Sequence, residues 1–92
     1  MSLTLYVSGA SPRSTAAIDT VRALCDGELA GQVDLQIIDV YDQPALVVSD
    51  DIIVTPTLIR RVPLPIRRLI GDLSDIQQVR SNLGFASPPA TP

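Results

Sequence analysis

The sequence contains no histidine, no lysine and no tryptophan, and it has one cysteine among its 92 residues. A single thiol, Cys25, excludes an intramolecular disulfide, and without histidine a metal site of ordinary Cys/His composition is excluded as well. We therefore expect no metal and no other cofactor. Aromatic residues make up 3% of the chain, so its core must be built from Leu, Ile, Val and Ala.

Size and charge narrow the class of protein further. The length suits one domain, which we place at residues 1–85, followed by a disordered, proline-rich tail at 86–92. A net charge of −3 argues against non-specific binding to nucleic acid. The first residues lack the basic lead and long apolar run of a signal peptide, and no segment is long enough to cross a bilayer. We expect a cytoplasmic protein that does not contact a membrane.

The N-terminal half has the pattern of a strand, a helix and a second strand. Residues 3–7 alternate partly between apolar and polar, and residues 33–40 do so again. Between them, Ser11 and Pro12 form an N-cap followed by proline, and apolar residues recur at spacings of three and four over 14–29. Gly31 is expected to end this helix in a left-handed turn. These lengths predict a right-handed βαβ unit with parallel strands.

The C-terminal half predicts two more strands and a final helix. Residues 44–49 form either a short helix beginning at the proline or an irregular connection. A hairpin follows at 56–62 and 65–70, and Ser74 and Gln77 have capping-box spacing before a helix that Gly84 closes. The order β-α-β, α, β-β, α is the thioredoxin-like arrangement of an α/β domain. Its usual landmark, a cis-proline at the start of the third strand, would be Pro56.

The hairpin concentrates positive charge in an otherwise acidic chain. Its turn is set by Pro63 and Pro65, because residues before proline favour extended backbone. Each strand carries two arginines: Arg60 and Arg61, then Arg67 and Arg68. We expect these side chains on the exposed faces of the hairpin, either as a solvated surface or as a docking patch for another protein. No aromatic or glycine-rich neighbours accompany them, which argues against a phosphate or nucleic-acid site.

Catalytic interpretations are weak. A thioredoxin-type oxidoreductase needs two thiols in a Cys-x-x-Cys turn after the first strand, and here Ser11 and Ser14 occupy those positions. Cys25 lies on the apolar stripe of the first helix and is expected to be a buried structural thiol. The Asp50-Asp51 pair is expected in a solvated turn, and Asp72 and Asp75 near a helix start. None of these carboxylates has the companion residues that acid–base or metal chemistry requires.

Several segments together resemble the KaiB family of circadian-clock proteins. They are Leu5-Tyr6-Val7, Ile38-Asp39-Val40, Gln43-Pro44, Thr55-Pro56-Thr57-Leu58 and, most specifically, Pro63-Leu64-Pro65-Ile66-Arg67-Arg68-Leu69-Ile70-Gly71-Asp72-Leu73-Ser74-Asp75. The similarity extends over about residues 3–83. It implies a non-enzymatic protein that docks on the ring-shaped ATPase KaiC, with KaiA and a competing histidine kinase as further partners. It also implies dimers or tetramers, and a second fold in which the C-terminal half changes topology.

The resemblance assigns expected roles to residues of the hairpin. The partner-binding residues are Arg60, Arg61, Arg67 and Arg68; the structural residues are Pro56, Pro63, Pro65, Gly71 and Asp72. Clock-type members often carry basic residues at positions that are Thr4, Ala16, Asp42 and Asp51 here. Asn82 stands where many relatives have glycine. Because asparagine costs a helix less than glycine does, we expect the thioredoxin-like form to be favoured in this chain.

Two alternatives remain open from the sequence. The first is a KaiB-like adaptor or sensor module that serves signalling or stress responses outside a clock. The second is a thiol-independent enzyme with a thioredoxin fold, such as a transferase. Binding to a KaiC-type ATPase would support the clock protein, and pairing of its gene with a kinase gene would support the adaptor. Turnover of glutathione or a disulfide would support the enzyme.

Overall fold

The computed structural model of the chain describes residues 1–9, 11–27, 31–52, 54–62, 64–70 and 73–83. Within these ranges, four strands and three helices follow one another in the order that the sequence predicts. They are β1 (Ser2–Val7), α1 (Pro12–Asp26), β2 (Asp34–Asp39), α2 (Pro44–Ser49), β3 (Thr57–Val62), β4 (Arg67–Ile70) and α3 (Ile76–Asn82). Of the two possibilities for 44–49, the helix is therefore the one observed.

The strands form one mixed sheet in the order β2-β1-β3-β4. β1 pairs with β2 in parallel, as the βαβ pattern predicts, and it pairs with β3 in antiparallel fashion. β4 returns beside β3 as the second arm of the antiparallel hairpin. The α/β, thioredoxin-like arrangement is thus confirmed. The Thr55–Pro56 peptide bond at the entrance to β3 is cis, and Pro56 is fully buried.

The two faces of the sheet are covered unequally. Successive side chains of a strand point to opposite faces, so each strand contributes to two clusters. The larger cluster joins the sheet to α1 and α3 and includes Leu5, Val21, Leu58 and Val79. The smaller contains Tyr6, Ile38 and Ile59, with Val40, Val47 and Ile52 packed against it. The short helix α2 lies on this second side and buries none of its own residues completely.

Helix boundaries differ from the sequence expectation at two places. α1 ends at Asp26, where the Gly27 N–H donates to the carbonyl of Ala23, whereas Gly31 has its left-handed φ of 76° beyond the helix. The N-cap of α3 is Asp75 and not Ser74, because its carboxylate accepts from the N–H groups of Gln77 and Gln78. A carboxylate acceptor also suits the positive end of the helix.

Some sequence predictions concern residues outside the described ranges. These are the end of the final helix at Gly84, the disordered tail at 86–92, and the structural roles of Pro63, Gly71 and Asp72. Pro65 is described: it is exposed, its bond to Leu64 is cis, and its carbonyl accepts a hydrogen bond from Arg60.

Candidate protein-docking site

The hairpin arginines lie on two different faces of the sheet. Arg60 is directly opposite Arg67, and Arg68 is directly opposite Ile59. Residues that face each other across a ladder point to the same side, and consecutive residues point to opposite sides. Arg60 and Arg67 therefore lie on the side of α3, and Arg61 and Arg68 on the side of α2. The four cations do not form one patch.

Arg60 is buried, with 6% of its surface exposed. Its Nη1 donates to the carbonyl of Leu83 over 2.5 Å, and its Nη2 donates to the carbonyl of Pro65 over 2.9 Å. The expectation that this guanidinium is solvated is wrong. The carbonyls at the end of a helix have no intrahelical donor, and Arg60 supplies one to α3 from the neighbouring strand. We interpret Arg60 as a residue that positions α3 and the hairpin turn.

Arg61 is half-buried and belongs to a network with Asp50. Its Nη2 and Nη1 donate to the two carboxylate oxygens of Asp50 over 2.5 and 3.3 Å, and its Nε donates to Thr4 Oγ1 over 3.0 Å. The hydroxyl of Tyr6 also donates to Asp50. This network ties the end of α2 to β1 and β3. The expectation that Asp50 lies in a solvated turn is wrong, whereas its neighbour Asp51 is exposed.

The network shifts the ionisation of its members in opposite directions. The hydrogen bonds from Arg61 hold the pKa of Asp50 below its usual value, although burial acts against this. Burial, followed by the hydrogen bond to Asp50, raises the pKa of Tyr6 to about 12. At neutral pH the carboxylate and the guanidinium are charged, and the phenol is neutral. The network therefore stabilises structure and holds no base ready for proton transfer.

Arg67 and Arg68 are the exposed cations of the hairpin. Arg67 Nη1 makes a long contact of 3.5 Å with the carbonyl of Asn82. Within the described ranges neither side chain forms an ion pair, and the pair recorded there joins Arg61 and Asp50. Both guanidinium groups are thus available to carboxylates of another molecule. Their assignment to partner binding remains a prediction.

Exposed aliphatic side chains accompany these cations, and the sequence analysis did not single them out. Val48 of α2 is 78% exposed and Ile70 of β4 is 60% exposed, and Leu46 is also accessible. Ile70 lies on the side of α2, since it faces Thr57 across the ladder. We define the α2 surface as Val48, Arg61, Arg68 and Ile70. Leu46 lies toward the opposite edge of the sheet, beside Gln36 and Asp39 of β2. The available signal was the Leu46-Val47-Val48 run, which has more apolar residues than a short helix on one sheet face can bury.

At the positions where a thioredoxin carries its two cysteines, the serine hydroxyls form hydrogen bonds with each other and with neighbouring groups. Ser11 Oγ donates to Ser14 Oγ over 2.9 Å, and Ser14 Oγ accepts the Ser8 N–H over 3.1 Å. Thr55 Oγ1, next to the cis-proline, donates to Ser8 Oγ over 2.9 Å. Ser14 is fully buried. No imidazole or carboxylate contacts these hydroxyls in the described structure, so none is activated as a nucleophile.

Other features bear on the sequence predictions for Cys25, metals and membranes. Cys25 is half-buried beside the larger core cluster, and burial raises the pKa of its thiol. In the described residues, no three His, Cys, Asp or Glu side chains are grouped closely enough to hold a metal ion. Across those same ranges, every helix is too short or too polar to span a bilayer.

Comparison with known proteins identifies the family. The sequence model of the KaiB domain matches residues 4–85, nearly the whole chain. The chain belongs to the KaiB family. It is 47% identical over 77 residues to the circadian clock oscillator protein KaiB of Prochlorococcus marinus (strain MIT 9312), covering 84% of this chain and 73% of the relative. The KaiB of Synechococcus elongatus is 46% identical over the same length, with 84% and 76% covered.

Solved structures confirm the fold. The N-terminal domain of Synechococcus elongatus SasA superimposes with a TM-score of 0.69 at 32% identity, covering 89% of this chain and 81% of that domain. A designed protein superimposes with a TM-score of 0.71 at 23% identity, covering 89% and 71%. The second similarity concerns the fold alone. Together with the family match, the first places the chain among clock regulatory proteins with a thioredoxin-like fold.

Proposed function

We propose that the chain is a non-enzymatic regulatory module that docks on a KaiC-type ATPase and modulates a circadian or other timing system. The observation that carries this proposal is the KaiB-domain match over residues 4–85. The hydroxyl cluster at the former dithiol positions supports a binding role, because it lacks the thiol pair that redox chemistry needs. KaiA and a competing histidine kinase are further proposed partners, and the cytoplasm is the proposed location.

The α2 surface is the docking region that we favour for the ATPase. It combines accessible aliphatic groups with the exposed cation of Arg68, a composition typical of an interface core with a charged neighbour. Arg61 adds little net charge because Asp50 neutralises it. Arg60 can act only indirectly, by holding α3 and the turn in place.

Two exposed acidic residues border this region and change the kind of ATPase surface that we expect it to bind. Asp42 and Asp51 are both exposed, at positions where the family resemblance leads one to expect basic residues. Like charges across an interface slow association and penalise the wrong partner. We therefore expect the preferred ATPase surface to be less acidic opposite these two positions than the one that clock-type members bind.

A second candidate function is that of an adaptor or sensor module in signalling. The observation that favours it is the similarity to the SasA N-terminal domain, which includes 32% sequence identity as well as the fold. In that case the partner would be a signalling protein and not an ATPase ring. The thioredoxin-fold enzyme receives no comparable support from the described hydroxyls, and we expect no turnover of glutathione or disulfide substrates.

The proposed second fold and the oligomeric state are separate questions. Residues Ile76–Asn82 are helical, as the thioredoxin-like form requires, and Asn82 is the last residue of that helix. We propose that this form is the more populated one. Homodimers or tetramers remain a proposal that sedimentation or light scattering at several concentrations would test.

The test of the proposed function is co-migration with a purified KaiC-type ATPase in size-exclusion chromatography, with ATP, with ADP and without nucleotide. We expect the chain to shift to the ring fraction in at least one nucleotide state. A parallel experiment tests co-migration with a sensor kinase in place of the ATPase. Binding to the kinase alone would favour the adaptor function, and turnover in a glutathione transferase or disulfide reductase assay would refute both.

A further inference from the structure

The outer edge of β4 is not paired with another strand of the described residues. β4 is the last strand of the sheet order, and in the described structure its one neighbour is β3. Such an edge presents a row of N–H and C=O groups to which another extended segment can add. The strand is four residues long, Arg67–Ile70, and three of its side chains are exposed.

A groove runs along this edge between β4 and α3. Its volume is about 510 Å³, and its lining includes Leu69, Leu73 and Val79 together with Arg67, Gln78 and Asn82. The first three are buried aliphatic residues and the other three are polar or charged. A segment paired with β4 would place every second side chain toward this groove, because strand side chains alternate. The groove therefore offers an added strand polar and cationic contacts at its rim, above a floor of nearly buried aliphatic residues.

The order of residues in β4 specifies what the added strand should contain. Arg67 and Leu69 point to the side of α3, and Arg68 and Ile70 point to the side of α2. Each side thus presents one arginine and one aliphatic residue. We propose that the edge of β4 binds an acidic extended segment of a partner protein by antiparallel strand addition, with two consecutive apolar residues followed by two consecutive acidic ones. This surface shares Arg68 and Ile70 with the α2 surface, but the proposal concerns a different kind of partner and does not depend on docking on the ATPase.

Charge decides between a partner segment and a second copy of the chain. In antiparallel pairing of two β4 edges, each arginine would face an aliphatic residue of the other copy, and none of the four arginines would gain a carboxylate partner. Arginines on an edge discourage pairing of identical chains in this way. An acidic strand would meet the same groups as attractive partners, one on each side of the sheet.

The experiment uses the full chain and a fluorescent peptide, Thr-Thr-Val-Val-Glu-Glu-Thr-Thr, followed by anisotropy. The control peptide, Thr-Thr-Val-Glu-Val-Glu-Thr-Thr, has the same composition but places both carboxylates on one side of a strand. In the second peptide one of the two cross-strand pairs of opposite charge is lost, and a carboxylate faces Leu69 in place of an apolar side chain. We therefore expect the first peptide to bind more tightly by about fivefold or more at physiological salt. Equal binding of the two peptides, or no binding of the first, would overturn the proposal.

Main-chain pairing is tested by N-methylating the first peptide at alternate amides, in the two possible phases. In antiparallel pairing, alternate N–H groups of the peptide point toward β4 and the remaining ones point toward solvent. We therefore expect the peptide methylated on the first set to lose binding and the peptide methylated on the second set to retain it. Equal loss or equal retention would contradict strand addition. This readout uses the unmodified protein and therefore does not depend on the folding of a variant.

Two substitutions in the protein provide the last test of peptide binding. Arg67→Glu should weaken binding of the acidic peptide and strengthen binding of a peptide with lysine in place of the second glutamate, which faces residue 67 in the proposed register. Arg22→Glu, on the exposed face of α1, should change neither. The family resemblance assigns Arg67 to partner binding, but Arg67 lies on the side of α3, outside the α2 surface that we favour for the ATPase. Docking through the α2 surface should therefore survive this change. Loss of peptide binding with retained ATPase docking, or the reverse, separates the two proposals.

Discussion

Replacement of Asp50 by asparagine probes the network that holds α2 on the sheet. Asp50 accepts hydrogen bonds from Arg61 over 2.5 and 3.3 Å and from the hydroxyl of the fully buried Tyr6. An asparagine side chain has nearly the same shape, but it has one acceptor oxygen and no charge. Arg61 Nη2 and the Tyr6 hydroxyl both donate to Oδ2, and an amide oxygen in that position can still accept from both. Arg61 Nη1 then faces the amide NH2 group in place of Oδ1 and loses its acceptor, and the ion pair disappears.

The expected loss of stability can be estimated from these contacts. A hydrogen bond to a charged group contributes about 1.5–3 kcal/mol when it is buried. Side-chain exposure is 35% for Arg61 and 18% for Asp50, so solvent screening reduces the ion pair itself to about 1 kcal/mol or less. We expect a total loss of about 2 kcal/mol, which for a domain of this size lowers Tm by about 10 °C.

Thermal unfolding followed by circular dichroism measures the effect, with Asp51→Asn as the matched control. Asp51 is the exposed neighbour of Asp50, and its φ of 55° is one that asparagine tolerates well. The same chemical change should therefore alter Tm little at this position. A comparable loss of Tm in the two variants would refute the network as a source of stability.

The pH dependence gives a second readout of the same network. The pKa of Asp50 is lowered in the folded chain, mainly by Arg61, so its contribution is fully present above the unfolded value of 3.8. It is lost as the pH falls from that value through the lower folded pKa. The difference in stability between the native chain and Asp50→Asn should accordingly be constant near neutral pH and shrink in this acidic window. A difference that does not depend on pH would contradict the assignment.

Three further predictions follow from other contacts. Arg60→Met should lower stability by about 1–2 kcal/mol in urea unfolding, because Leu83 and Pro65 lose their donor, whereas Arg67→Met should change it little. An equal loss of stability in the two variants would argue against a structural role for the hydrogen bonds of Arg60. Ser11→Cys combined with Ser14→Cys should yield a disulfide on air oxidation, detected by loss of reactive thiols, since the two hydroxyl oxygens lie 2.9 Å apart. The unaltered chain should show no disulfide reductase activity, and measurable turnover would contradict the non-enzymatic function.

Much of the fold could be predicted because its signals are local. Ser11 caps α1 and is followed by a proline, which suits the first turn of a helix. The alternating strands and the helix between them leave few topologies other than a right-handed parallel unit. The region 44–49 was ambiguous because six residues with four consecutive apolar ones fit more than one structure.

The candidate site was harder to predict because its contacts join distant parts of the chain. Asp50 meets Arg61 and Tyr6, which are 11 and 44 residues away, so a pair of adjacent aspartates gave no indication of burial. The orientation of Arg60 was accessible in principle. Arg60 and Arg61 are consecutive in a strand and must point to opposite faces, but which face α3 would cover depends on the packing of the whole domain.

The most direct test of the central proposal is the affinity of the intact chain for a KaiC-type ATPase ring, measured for the native chain, Arg68→Glu and Arg22→Glu. Both variants make the same change of charge, but only Arg68 belongs to the α2 surface, and Arg22 is exposed on α1. We expect the native chain and Arg22→Glu to bind equally and Arg68→Glu to bind about tenfold more weakly, because the substitution replaces an attraction by a repulsion. Equal affinity of all three would show that the α2 surface is not the docking site. Failure of the native chain to bind in any nucleotide state would contradict the proposed function.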